Sequence, residues 1–338
     1  MAYEQARERI RRIGQIAADS RALRSDVLAE INRVVAFDAY VWPLTDPETS
    51  VGVAPLAAMP PALMPSLPRL IRLKYVTDLN RWTSLSGHTA RLADPARSLV
   101  WRELLSGHGV SDVASTVFRD RYGCWAFLDL WRTGGTFTRA ETSFMDSITD
   151  MLTADLRRCQ AETFGSPPAP RPPSTAVLLL SADLQVQGQT PQTHEYLKLL
   201  VPPNTGMAPI PASAYNVAAQ LIAVEQHVDA NPPTARVHLA DGRWLSLRAA
   251  RLGPEAQIAV TIEDASPRER MVVFARAFGL STRETELLAH LITGADTHHV
   301  AGRMFLSENT VQDHLKSIFT KTGTRNRRTL LSRAVGTG

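Results

Sequence analysis

Cysteine is nearly absent from the 338 residues: Cys124 and Cys159 are the only two. Two are too few for a disulfide scaffold and show no zinc-ligand spacing, so both read as buried thiols. Long hydrophobic runs are missing as well. No stretch approaches eighteen apolar residues and the start has no signal-like apolar region, so a cytoplasmic chain without a membrane partner is expected. Charge of one sign is scarce too. The 37 basic and 33 acidic side chains leave a net charge of +4, compatible with nucleic acid but far from demanding it. Enzyme signatures are also lacking, with no nucleophile elbow, Gly-rich phosphate loop or His-Glu-x-x-His pair. His298 and His299 are adjacent and point apart on a helix, which argues against a metal site there. Asp129, on a strong apolar strand, reads as a rim residue rather than a catalyst. The expectation is a non-enzyme with no cofactor.

What is present is ordinary globular composition, 44% apolar and 21% charged, in a length that suits two to four domains. The first proline is Pro43, and Met1 to about Val35 has the periodicity of one long helix through Ile10, Ile13, Ala17, Leu23, Val27, Ile31 and Val34. Its other face carries Arg7, Arg11, Arg12, Arg21 and Arg24. Phe37–Leu44 and Val51–Leu56 then read as strands across a polar turn, and the Pro-rich stretch from Pro55 to Pro68 as a loop. Gly123–Trp131 is a buried strand between glycines. Thr138, with Glu141 at capping-box spacing, starts a second long helix to about Gln160 whose stripe is Phe144, Ile148, Leu152 and Leu156.

Residues 1–164 are expected to form the long N-terminal helix plus a domain that, over about 20–160 and with Thr136-Phe137-Thr138-Arg139-Ala140-Glu141 leading into the closing helix, resembles a GAF domain. The resemblance implies an α/β/α sensory or dimerisation domain, with a homodimer formed through the first and closing helices. It also implies a pocket for a small ligand, for which Trp82, Trp101, Cys124 and Trp125 are candidates. Plain core packing accounts for the same four residues.

Residues 165–174 form a semi-rigid linker in which half the residues are proline. Beyond it, Thr175–Leu180 and the segment after Asp183 read as strands, Gln192–Leu200 as a short helix, and Ala212–Val228 as a longer one aligned on Val217, Leu221, Val224 and Val228. Ala235–Leu239 and Trp244–Ala250 pair across Asp241-Gly242, a hairpin signal, and Gln257–Glu263 adds another strand. This order, with Leu179-Leu180-Ser181-Ala182-Asp183 at its start and Asp241-Gly242-Arg243-Trp244-Leu245 near its end, resembles a PAS-type α+β domain over 175–265. Interaction module and ligand sensor both remain open. Residues 266–279 predict a linker helix started by Pro267, with Phe274 and Phe278 on one side.

The most specific stretch is 280–338. Ser281 and Glu284 have capping-box spacing before Leu287, Leu288 and Leu291. A helix over Thr297–Met304 and another after the N-cap Ser307, separated by a few residues, give a helix-turn-helix layout. Val311, Leu315 and Ile318 are the inner side of the latter helix, and a fourth helix follows Asn326. Eight basic against five acidic side chains here would not alone make a DNA-binding case. The ordered set Leu280-Ser281-Thr282-Arg283-Glu284, Ser307-Glu308-Asn309-Thr310-Val311, His314 to Phe319 and Lys321-Thr322-Gly323, however, resembles the DNA-binding domain of LuxR-type transcriptional regulators. By that resemblance the helix after Ser307 enters the major groove of double-stranded DNA at a partly palindromic site. Thr310, Gln312, Asp313, His314 and Lys316 become the candidate contacts, with Lys321, Arg325, Arg327 and Arg328 toward phosphates. The fold expected is a multidomain α+β chain: GAF-like, PAS-like, and an all-α four-helix LuxR-type domain. The alternative is a protein-interaction scaffold using the same helices.

Overall fold

A computed structural model of the protein describes residues 1–165, 175–200, 210–239, 242–253 and 257–336. Residues 166–174 of the expected linker and Asp241 therefore lie outside the described residues. The chain opens with α1 (Ala2–Ile16) and α2 (Ser20–Asn32), two helices where the periodicity predicts one. Asp19 causes the break: its carboxylate accepts from the Arg21 and Ala22 amides, which gives the backbone an alternative to continuing the helix. The arginine-rich face is not uniformly exposed either. Arg24 is 3% exposed and donates to the carbonyls of Trp42 and Ala54, which pins α2 to the first sheet, and burial lowers its pKa to about 9.

That sheet contains β1 (Ala39–Thr45), β2 (Gly52–Ala58), β3 (Ala90–Arg91), β4 (Asp112–Asp120) and β5 (Gly123–Arg132), antiparallel in the order β2-β1-β5-β4-β3. Between its strands lie α3 (Leu67–Val76) and α4 (Leu99–Glu103), and α5 (Arg139–Glu162) closes the unit behind the Thr138–Glu141 capping box. The stretch read as a loop holds a strand end, a 3-10 turn and the start of α3.

Central strand β5 is buried on both faces, and its alternation sorts the core. Ala126, Leu128 and Leu130 belong to the cluster with α1, α2 and α5, whereas Phe127 and Trp131 belong to the cluster with α3. The stripes of α1 and α5 meet within one chain, where Tyr3 stacks on Phe144 at 5.0 Å and Ile10 and Ile148 are fully buried. A dimer through these helices would have to use their outer faces.

The second sheet is built from β6 (Ala176–Leu180), β7 (Val186–Gln189), β8 (Thr234–His238), β9 (Trp244–Leu252) and β10 (Gln257–Asp264), in the order β7-β6-β10-β9-β8. It repeats the strand order of the first. Helices α6 (Pro191–Leu200) and α7 (Ala212–Glu225) connect β7 to β8. The predicted stripe on α7 is not what organises it: Leu221 and Val224 are half-buried, while Ser213, Asn216 and Gln220 are buried among alanines. A helix buried on every side needs neighbours on every side, and α7 has them, lying against β9 of its own sheet and against α3 and β2 of the first.

The two sheet units are locked at further points. Arg236 of β8 donates two bonds of 2.6 Å to Asp46 and one of 2.8 Å to Glu48, both in the β1–β2 turn. Burial alone would lower the Arg236 pKa, and the two carboxylates more than reverse this. Phe164, just past α5, stacks on Trp244 at 4.9 Å and meets Phe274 edge-on at 5.2 Å. Phe274 belongs to α8 (Pro267–Ala277), which is capped by Ser266 and Glu269 and leads to α9 (Thr282–Ile292), α10 (Thr297–Met304), α11 (Glu308–Thr322) and α12 (Arg327–Val335). Among the described residues no helix is long and apolar enough to cross a membrane.

Candidate nucleic-acid interface and ligand cavity

The C-terminal helices are held by a buried carboxylate. The Ser281 amide donates to Glu284 at 2.6 Å and the Glu284 amide donates back to the Ser281 hydroxyl, closing the box that starts α9. The same carboxylate accepts from Ser317 and from Lys321 of α11, each at 2.6 Å. Burial would raise its pKa, but Lys321, Ser317 and Ser281 hold it down at about 2. The start of α9 is thereby stapled to the side of α11. Phe305, at φ +55°, ends α10, and Ser307 accepts from the Thr310 amide to start α11 two residues later. Val311, Leu315 and Ile318 point inward onto Leu287, Leu288 and Val300.

Helical geometry then dictates what faces out. Glu308, Asn309, Gln312, Asp313, Lys316 and Thr320 are exposed and recur at the spacing of one face. Of the residues read from sequence, Gln312, Asp313 and Lys316 lie on that face, and Arg325 and Arg328 are exposed beyond it. Thr310 and His314 are half-buried at its edge, the Thr310 hydroxyl 2.9 Å from that of Ser307. Lys321 and Arg327 are engaged elsewhere. Lys321 pairs with Glu284, and Arg327 donates to the Ala295 carbonyl at 2.6 Å, tying α12 to the α9–α10 turn. Both are positioned by the fold rather than left for a phosphate. Glu308 and Asn309, one turn before Gln312 and Asp313, were recoverable from that periodicity alone. The face is nearly neutral, because Lys316 sits 3.1 Å from Asp313.

A cavity of about 450 Å³ opens between α3, β2 and the first turn of α7. Val41, Leu56, Met64 and Leu70 give it an apolar lining, and Lys74, Asp129 and Trp82 stand at one side. Asp129 is 1% exposed and accepts from Lys74 (2.9 Å), Trp82 Nε1 (3.1 Å) and Ser115 (2.6 Å). It is an internal ion-pair partner, not a rim residue. Alternation along β5 accounts for the first point, and a register shift opposite Phe118 and Arg119, which leaves Trp125 unpaired between Cys124 and Ala126, accounts for the fate of the predicted pocket. Asp129 and Trp131 share the α3 side and line the cavity, whereas Trp125 packs in the opposite cluster and donates to Asp120. Trp101 donates to the Val110 carbonyl and Cys124 lies in the core, so of the four candidates Trp82 alone lines this cavity. Burial raises the pKa of both thiols, Cys159 to about 11, which keeps them protonated and unreactive. Two cavity-lining side chains carry a buried polar atom with no protein partner, Trp131 Nε1 and Asn216 Oδ1. Such atoms cost about 1–3 kcal/mol each until something bonds them.

Residues 279–334 match the family of bacterial regulatory proteins of the luxR type, so the C-terminal domain is a luxR-family domain. No curated protein matches the chain. Among solved structures, Escherichia coli SdiA is similar over 98% of this chain and 96% of its own, at 13% identity and a TM-score of 0.39. SdiA in complex with octanoyl-rac-glycerol matches over 99% and 95%, at 15% identity and a TM-score of 0.32. The Vibrio cholerae VqmA–ligand–DNA complex matches over 48% of this chain and 81% of its own, at 20% identity and a TM-score of 0.20.

Proposed function

We propose that this protein is a sequence-specific DNA-binding transcriptional regulator that works as a homodimer on a partly palindromic site. The observation that carries the reading is the exposed face of α11, presented by a helix-turn-helix of the luxR family. Gln312 can pair bidentately with adenine, His314 reaches base edges from the side, and Lys316, Arg325 and Arg328 supply the phosphate contacts. Two protomers would set their α11 helices one DNA turn apart, roughly 34 Å. We divide the chain into a GAF-like domain at 1–164 and a PAS-like domain at 175–265, both upstream of the reader, with linkers at 165–174 and 266–279. The shared strand order of the two sheets supports placing both in the sensor class, and the cavity supports a small ligand as input. The reading contains no catalytic step and places the protein in the cytoplasm.

The test is selection of genomic fragments by the full-length protein at near-physiological salt. A two-fold-symmetric site should emerge. Gln312→Ala should relax preference at one base pair, costing about 1–3 kcal/mol there, and His314→Ala should reduce discrimination as well. Lys316→Ala should weaken all sequences alike. Weak binding indifferent to sequence and to all three changes would favour the scaffold reading, to which the near-neutral Asp313–Lys316 face lends itself.

A further inference from the structure

The cavity is not the property of one unit. Its first wall comes from β1, β2 and α3 of the first sheet unit, and its second from Ile210, Ala212 and Asn216, at and just before the start of α7. Helix α7 is the one that lies against β9 of the second sheet. The two walls meet closely where the Asn216 amide rests on Gly52 of β2, and a Cβ at Gly52 would come within 3.0 Å of it. We propose that this cavity is a binding site shared by the two sheet units, for a largely apolar, uncharged small molecule carrying a hydrogen-bonding oxygen. Its occupancy then holds α7 against α3.

The chemistry of the walls selects that class. Volume places the cavity among small-molecule sites, which span about 300–1,000 Å³. Most of the lining is aliphatic. Of the charged side chains in the lining, Asp129 has three donors, Lys74 has Asp129 and the Asn80 carbonyl, and Arg21 is exposed to solvent. Nothing within therefore calls for a charged ligand. What remains unmet is one donor on Trp131 and one acceptor on Asn216, a demand that a hydroxyl, which both accepts and donates, answers. From α7 a physical connection runs on toward the reader. Helix α7 packs on β9, Ser246 of β9 donates to Glu269 at 2.9 Å, and Glu269 caps α8. The inference rests on the regulator reading only for its consequence at DNA, not for binding.

Titration of the full-length protein with N-phenyl-1-naphthylamine, an uncharged apolar fluorophore, provides the test, with hydrogen exchange followed in parallel. Saturable binding should slow exchange in 212–225 as well as in 67–76. Ala212→Trp, which fills the cavity from the α7 side, should weaken the probe at least tenfold. Ile210→Ser, which removes apolar wall without adding bulk, should weaken it several-fold and covers the case in which the tryptophan variant fails to fold. Parental affinity in both variants, or protection confined to the first unit, overturns the proposal. Shared protection in a protein that selects no DNA site upholds it and removes the regulator reading instead.

Discussion

The C-terminal helical domain and the two sheet units are held by contacts of different reach. In α9–α12 the decisive bonds join near neighbours: Ser281 with Glu284, Asp296 with His299, Ser307 with Thr310, and Asn326 with Thr329, each three residues apart. In the sheet units they join residues far apart in the chain, as Arg236 with Asp46 and Lys74 with Asp129. The first kind of bond forms wherever a helix starts, whatever surrounds it. The second exists only once distant segments are packed, so it reports on assembly rather than on local propensity. A domain built in the first way can be moved as a body, and units built in the second way respond together. That division suits a reader at one end of the chain and an input at the other.

Breaking the buried ion pair between the two sheet units should cost most. Arg236→Ala leaves Asp46, which is fully buried, without its cation, and should cost about 3–5 kcal/mol in a denaturant titration. If α9–α12 lose as much stability as the sheets, the two regions are not separately held.

The exception inside the reader is Glu284, whose pKa is lowered from the ordinary 4.5 to about 2. A depressed carboxylate stabilises above its unfolded value and loses that contribution as pH falls through the folded one. The C-terminal domain should therefore weaken between about pH 4.5 and 2, by roughly 3 kcal/mol in all. Glu284→Gln should lose a comparable amount at neutral pH and flatten that acid limb, as followed by helical circular dichroism. An unchanged acid limb would mean that the staple between α9 and α11 is not what holds the domain.

At the seam between the two regions stands Gly279, at φ +64°, where an added Cβ would lie 3.0 Å from the Tyr122 ring of the first unit. Gly279→Ala should cost about 2 kcal/mol, more than Gly294→Ala, which carries the left-handed strain with no neighbour within 4 Å. In a Tyr122→Ala background the excess should vanish, a double-mutant cycle that measures the docking itself. The smallest effect is local. Ser307→Ala removes one cap and should cost about 1 kcal/mol, confined to the C-terminal domain. A larger loss that reaches the sheet units would show that α11 is coupled to them.

How much was legible follows the same division. The capping boxes at Thr138 and Ser281 involve residues three apart, and both helices start behind them, while Ser266 and Glu269 carried the same spacing unread ahead of Pro267. Asp19 carried an equally local signal that was outweighed by the apolar periodicity around it. Asp129 could not be read as an ion-pair partner, because Lys74 is remote in sequence and only the curl of α3 over β5 brings them to 2.9 Å. The separation of Trp125 from Trp131 was not legible either, since alternation would put residues six apart on one face and only the register shift between β4 and β5 at Trp125 divides them. Nor was the burial of Ser213, Asn216 and Gln220, because it requires a second unit on the far side of α7.

The amino-acid sequence by itself determined where the helices begin, which residues α11 turns outward, and that the C-terminal domain reads as a luxR-type helix-turn-helix. Those properties depend on bonds and periodicities that close within a turn or two of chain. Tertiary structure decided that Lys321 serves Glu284, that Phe164 joins three elements, and that a cavity stands between the two sheet units. Each of these needs surfaces from distant segments to meet, and the position of one surface against another is set by the packing of the whole core rather than by any stretch of chain.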